Sequence, residues 1–127
     1  IYDKPVLITE YGCSSYSKNW SQEKSEIGQK KYHEGNWIDI ATNTAGFGEG
    51  NALGGVIFEW VDEWWKAGSP PKFSPSVQEQ VGQFGAPFLD GWSYEEILGI
   101  TSQGDGSDSP FLRQLRPTYY LYKKLWN

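Results

Sequence analysis

The sequence is poor in cysteine, in basic charge and in long apolar runs, and each shortage excludes something. A single cysteine, Cys13, permits no internal disulfide and leaves the redox compartment illegible. No uninterrupted apolar stretch reaches the roughly 18 residues of a membrane-spanning helix. Eleven Lys and Arg against 16 Asp and Glu give a formal charge of −5, with the two signs interspersed. A nucleic-acid surface needs a basic stripe to neutralise phosphates, so no nucleic-acid partner is expected. His, Cys and Asp nowhere cluster at metal-ligand spacing, and no glycine-rich loop has a phosphate-binding pattern. Neither a metal nor another cofactor is therefore expected. None of the stretches reads as a membrane-surface helix. No secretory leader is legible either. "IYDKPVLI" reads at once as the lead-in to a strand, as in a piece cut from something longer.

Aromatic residues are what the sequence has in excess: seven Trp and eight Tyr in 127 residues. Their rings suit stacking on sugars or the filling of wide gaps between elements. The 38% apolar and 21% charged residues suit one soluble domain with a modest core and carry no disorder signature.

Along the chain, "PVLIT" (5–9) is a short β-branched run of the kind found in parallel strands buried on both faces. From 22 to 45 the pattern predicts a helix, capped by Asn19 or Ser21, with Glu23 in its first turn and Trp37, Ile38, Ala41 and Ala45 on one face. Gly28 and Gly35 weaken it. A breaker cluster, "GFGEGNALGG" (46–55), precedes a second strand-like run, "VIFEW" (56–60). A Pro- and Gly-rich stretch over 67–108 reads as a long functional loop. In the closing segment, 109–127, Leu112, Leu115, Tyr119, Tyr122 and Trp126 recur near helical spacing and Pro117 suits a first helical turn. Strand–helix–strand over 1–66 is a βαβ unit, hence α/β with parallel strands.

Active sites of parallel α/β folds lie at the carboxyl ends of the strands. Glu10 and Trp60 occupy those ends, so a carboxylate and an indole are expected on one rim. Retaining glycosidases use that pairing: the carboxylate attacks the anomeric carbon while an aromatic face holds the sugar. Each residue also has a plainer reading, Glu10 as a surface acid and Trp60 as core filler.

"PVLITEYG", then "Q..Y....W.DI" (Gln29, Tyr32, Trp37, Asp39, Ile40), then "GGVIFEWVDEWWK" (54–66), together resemble the last two strands of the catalytic barrel of glycoside hydrolase family 2, the β-galactosidase and β-glucuronidase group. The closing "RPTYYLYKKLW" resembles that barrel's last helix. The resemblance implies the carboxyl-terminal portion of a TIM (β/α)8 barrel, strands seven and eight with their helices, incomplete as an isolated chain. It implies Glu10 as the nucleophile of a retaining double displacement and Trp60 as part of the innermost sugar subsite. Tyr11, Trp64 and Trp65 are expected to contact substrate beside them, loop packing being the plainer reading of the last two. Two strands do not separate this family from the endoglucanases and mannanases of the same clan.

The chain also departs from the family. The acid/base carboxylate there lies in an Asn-Glu pair after the fourth strand, and this sequence has no Asn-Glu dipeptide. Retaining hydrolysis needs two carboxyls about 5–5.5 Å apart. Asp62, Glu63, Glu95 and Glu96 could be offered as replacements, but none sits in a matching motif. Glu59, alternating with Trp60, reads as a buried paired group. His33 reads as a plain surface histidine and Cys13 as a small packed residue. The expected partners are a carbohydrate substrate and either the remainder of the barrel or further copies of this chain, joined through open strand edges. Without the acid/base the chain alone is expected to be inactive. The alternative is a carbohydrate-binding or assembly module without chemistry.

Overall fold

A computed structural model of the chain describes residues 4–17, 20–63, 95–102 and 114–127. Strand β1 (Val6–Tyr11) leads into helix α1 (Gln22–Thr42), which returns to strand β2 (Ala52–Ile57), and helix α2 (Pro117–Leu125) ends the chain. β1 and β2 pair in parallel, as a βαβ connection requires.

Helix α1 starts where a cap allows it. Ser21, in extended conformation, accepts a hydrogen bond from the Lys24 N–H at 3.3 Å, satisfying one of the orphan donors of the first turn. Pro117 stands at the start of α2, where a missing N–H costs nothing.

Strand β2 begins earlier and ends earlier than the apolar run suggests, because it takes in "ALGG" from the breaker cluster. Gly55 is there for space. A Cβ on it would lie 2.8 Å from Ile40 Cδ1 and from Tyr11 Cε1, so the missing side chain lets α1 and β1 close over the sheet. Trp60 consequently lies three positions beyond the strand rather than at its tip.

The core comprises Tyr11, Ile40, Ile100 and Tyr122, with Ile8, Trp37, Ile57 and Tyr119 packed against it. Both helices thus cover one face of the sheet. Other apolar strand residues stay open: Leu7 is 51% exposed, Leu53 61% and Val56 51%.

The inner stripe of α1 differs from the apolar face expected. Its buried positions are Ser25, Gln29, His33 and Ile40, whereas Ile38, Ala41 and Ala45 are exposed. The stripe is polar because its side chains bond to other elements. The Gln29 amide nitrogen donates toward the carbonyls of Cys13, Leu98 and Gly99 at 3.1, 3.2 and 3.0 Å. Its oxygen accepts from the Thr118 hydroxyl at 2.9 Å. His33, expected at the surface, is fully buried.

Part of the expected loop is core as well. Residues 95–102 open with a 3-10 turn at Glu95–Ile97, and Ile97, Leu98, Ile100 and Thr101 are buried. The segment is held by backbone bonds from Ile100 N–H to Glu59 O (2.9 Å) and from Thr101 N–H to Trp60 O (3.0 Å). Residues 67–94 and 103–108 of that stretch lie outside the described residues.

Candidate active site

Glu10 reaches the solvent through an irregularity of β1. The ladder pairs Ile8 with Gly55 and Tyr11 with Ile57, three steps on β1 against two on β2. One extra residue on one strand is a β-bulge, a device that re-aims side chains. Strict alternation would put Ile8 and Glu10 on one face and Tyr11 on the other. With the bulge, Ile8 and Tyr11 both pack into the helix-covered core, while Thr9 and Glu10 are exposed. Among the described residues no hydrogen bond or ion pair engages the Glu10 carboxylate.

Tyr11, expected to touch substrate, is a core residue instead, only 7% exposed. Its phenol oxygen accepts from the Tyr122 hydroxyl at 3.0 Å, and Tyr122 in turn lies 3.0 Å from His33 Nδ1. Burial raises the Tyr11 phenol above its usual pKa, with the bond from Tyr122 opposing. Burial also raises Tyr122, and Tyr11 adds to it. The bulge explains the correction: the extra residue that frees Glu10 turns the next side chain inward.

Just beyond, the chain folds tightly against β2. The Phe58 N–H donates to Tyr11 O at 2.8 Å. A Cβ on Gly12 would meet Phe58 O at 1.7 Å, so only glycine fits after Tyr11. The Phe58–Glu59 peptide is cis. By these contacts Phe58 is the aromatic whose backbone adjoins Tyr11 and Gly12.

Trp60 is 61% exposed and its ring sits edge-on to Tyr119 of α2, centroids 5.9 Å apart. With Ile100, Tyr122, Lys123, Trp126 and Asn127 it lines a cavity of about 230 Å³. Glu10 is not part of that lining. Trp64 and Trp65 lie outside the described residues.

The substitute acids fare differently. Asp62 is fully buried, and both its oxygens accept from Arg116, at 2.6 and 2.7 Å, while Oδ1 also accepts from the Gly99 N–H at 3.0 Å. Such a bidentate pair locks α2 to the segment after β2 and leaves Asp62 no access to a leaving group. Glu96 is 2% exposed. Cys13 is the packed residue expected: burial pushes its thiol up to about 12, so no reactive thiolate forms near neutrality. No group of three His, Cys, Asp or Glu among the described residues could hold a metal ion. No helix among them is long and apolar enough to cross a membrane.

Sequence reasoning missed Gln29, His33, Tyr122 and Arg116 as the groups that tie this end of the sheet together. Gln29 and Arg116 show no local pattern, since their partners lie 16 to 90 positions away. Compared with family models, curated proteins and solved structures, the chain matches none.

Proposed function

We propose that the chain is part of a retaining glycoside hydrolase, contributing strands seven and eight of a (β/α)8 barrel and the nucleophile Glu10. The observation that carries this reading is the bulge. It presents a carboxylate that no described residue engages near the carboxyl end of a parallel strand, while the neighbouring tyrosine is anchored in the core. The parallel βαβ arrangement and the "TEYG" to "GGVIFEWVD" spacing support it. The half-exposed Leu7, Leu53 and Val56 fit strands whose second face is covered by further elements of the barrel.

In the reaction a Glu10 oxygen attacks the anomeric carbon, the bond to the leaving oxygen breaks, and a glycosyl ester forms. Water then cleaves the ester and restores the carboxylate. Both steps ordinarily use an acid/base group, which this reading assigns to another part of the barrel.

A leaving group that needs no proton isolates the first step. Dinitrophenyl β-glycosides of gluco, galacto, manno and glucurono configuration should give a burst of one dinitrophenolate per chain, then almost no turnover. Glu10→Gln should abolish the burst. No burst with any sugar, or one that survives Glu10→Gln, overturns the proposal.

The aromatic cavity favours a second reading, carbohydrate binding without chemistry. A pyranose would rest on the exposed Trp60 and Trp126, each fixed from beneath by neighbouring rings. Sugar affinity unchanged by Glu10→Ala and lost in Trp60→Ala or Trp126→Ala would decide for it.

A further inference from the structure

The buried imidazole and phenols behind Glu10 form a chain with a direction. Tyr122 has one phenolic proton, and it goes to Tyr11. With that orientation of the two hydroxyls, the 3.0 Å contact between His33 Nδ1 and Tyr122 Oη is made by the imidazole's proton. His33 is neutral, protonated at Nδ1, with a lone pair on Nε2. That Nε2 is buried and meets no hydrogen-bond partner among the described residues.

The three rings come from three elements: His33 from α1, Tyr122 from α2 and Tyr11 from β1. Tyr11 directly follows Glu10. We propose that the His33–Tyr122–Tyr11 chain is an acid-sensitive latch that positions the Glu10 carboxylate by tying the end of β1 to both helices. Its meaning for catalysis rests on the nucleophile reading of Glu10; the latch itself does not.

Among the described residues nothing forms an ion pair with His33 that could balance a new charge there. The titratable groups around it are Tyr11 on β1, Cys13 just after it, Tyr122 on α2 and Tyr32 on α1 itself, whose ring meets His33 edge-on. Burial raises the pKa of Tyr11, Cys13 and Tyr122, so none of these three supplies an anion near pH 7. Asp62 and Arg116 neutralise each other, and Glu96 lies on the segment that Gln29 binds. Burial accordingly lowers the His33 pKa to about 4. Water can stabilise a proton on Nε2, and it reaches the ring when the end of β1 or a helix moves away and the Tyr122–Tyr11 bond opens. The folded chain holds His33 neutral while the unfolded chain protonates it from about pH 6.5 downward. The latch is thus fully closed above that pH and weakens as pH falls toward 4.

His33 is the only histidine, so its ring proton resonances are unambiguous. The experiment is a proton NMR titration from pH 7.5 to 3.5, with exchange of the Phe58 amide, which is bonded to Tyr11 O. Urea unfolding of the wild type and His33→Gln is measured over the same range. The imidazole should titrate near 4, and Phe58 protection should fall as it does. The unfolding constant of the wild type should rise roughly a hundredfold more than that of His33→Gln between pH 7 and 4. Tyr122→Phe, which cuts the link, should lose Phe58 protection already at pH 7. Titration near 6.5, parallel acid dependence in the two proteins, or Phe58 protection untouched by Tyr122→Phe each overturns the latch. If His33→Gln does not fold, the wild-type titration with Phe58 exchange decides alone. Failure of the glycosidase reading shows elsewhere, as a missing burst at Glu10.

Discussion

The two faces of the β1–β2 sheet are built on different principles. The helix-covered face is closed by polar groups that answer one another across long sequence distances: Gln29 to Cys13, Leu98 and Thr118, His33 to Tyr122, Arg116 to Asp62. The open face carries Leu7, Leu53 and Val56 half-exposed, and the bulge leaves the adjoining Glu10 exposed too. Order on one side and freedom on the other suits the nucleophile role proposed for Glu10. The backbone beside this residue is fixed from behind, while no described residue engages its own oxygens.

This contrast can be broken in graded steps. Asp62→Ala should have the largest effect, about 3–5 kcal/mol lost in urea denaturation, because it leaves the Arg116 guanidinium buried without its partner. Acid comes next. The His33 pKa is lower in the folded chain, so the unfolded chain binds more protons as pH falls from 6.5 to about 4, and its contribution to stability drops by about 3 kcal/mol over that window. Gln29→Ala should cost about 2 kcal/mol, since it strands the buried Thr118 hydroxyl and several carbonyls at once. On the open face, Leu7→Thr and Val56→Thr should change the stability of the monomeric chain by about 0.5 kcal/mol or less, both side chains being half in water already. A sharp rise in their cost with protein concentration, followed by sedimentation, would show that copies of the chain cover this face.

How much of this was legible beforehand differs between the same two faces. The outward features follow local rules: the first apolar run marked β1, Ser21 the start of α1, Pro117 the start of α2, and an acid closing "VLIT" the position of Glu10, whereas the second run overlapped β2 only at Val56 and Ile57. The inward features do not. Gly54 and Gly55 count as breakers in a sequence, yet Gly55 is needed because Ile40 and Tyr11 close over it. Hydrophobic periodicity cannot find a buried stripe made of Ser25, Gln29 and His33, because their burial depends on partners from β1, residues 95–102 and α2. Asp62 and Arg116 are 54 positions apart, with nothing local to mark them as a pair. Tyr11 was expected at the substrate from its place beside Glu10 in "TEYG"; a local motif does not show the bulge that packs both Ile8 and Tyr11 into the core.

The most direct measurement of the central claim is peptide mapping after treatment with dinitrophenyl 2-deoxy-2-fluoro-β-glycosides, whose ester intermediates hydrolyse slowly. The account predicts a mass gain of one fluoroglycosyl group, located on Glu10. A folded chain that takes up no label from any of the four sugars, or takes it on another carboxylate, would contradict it.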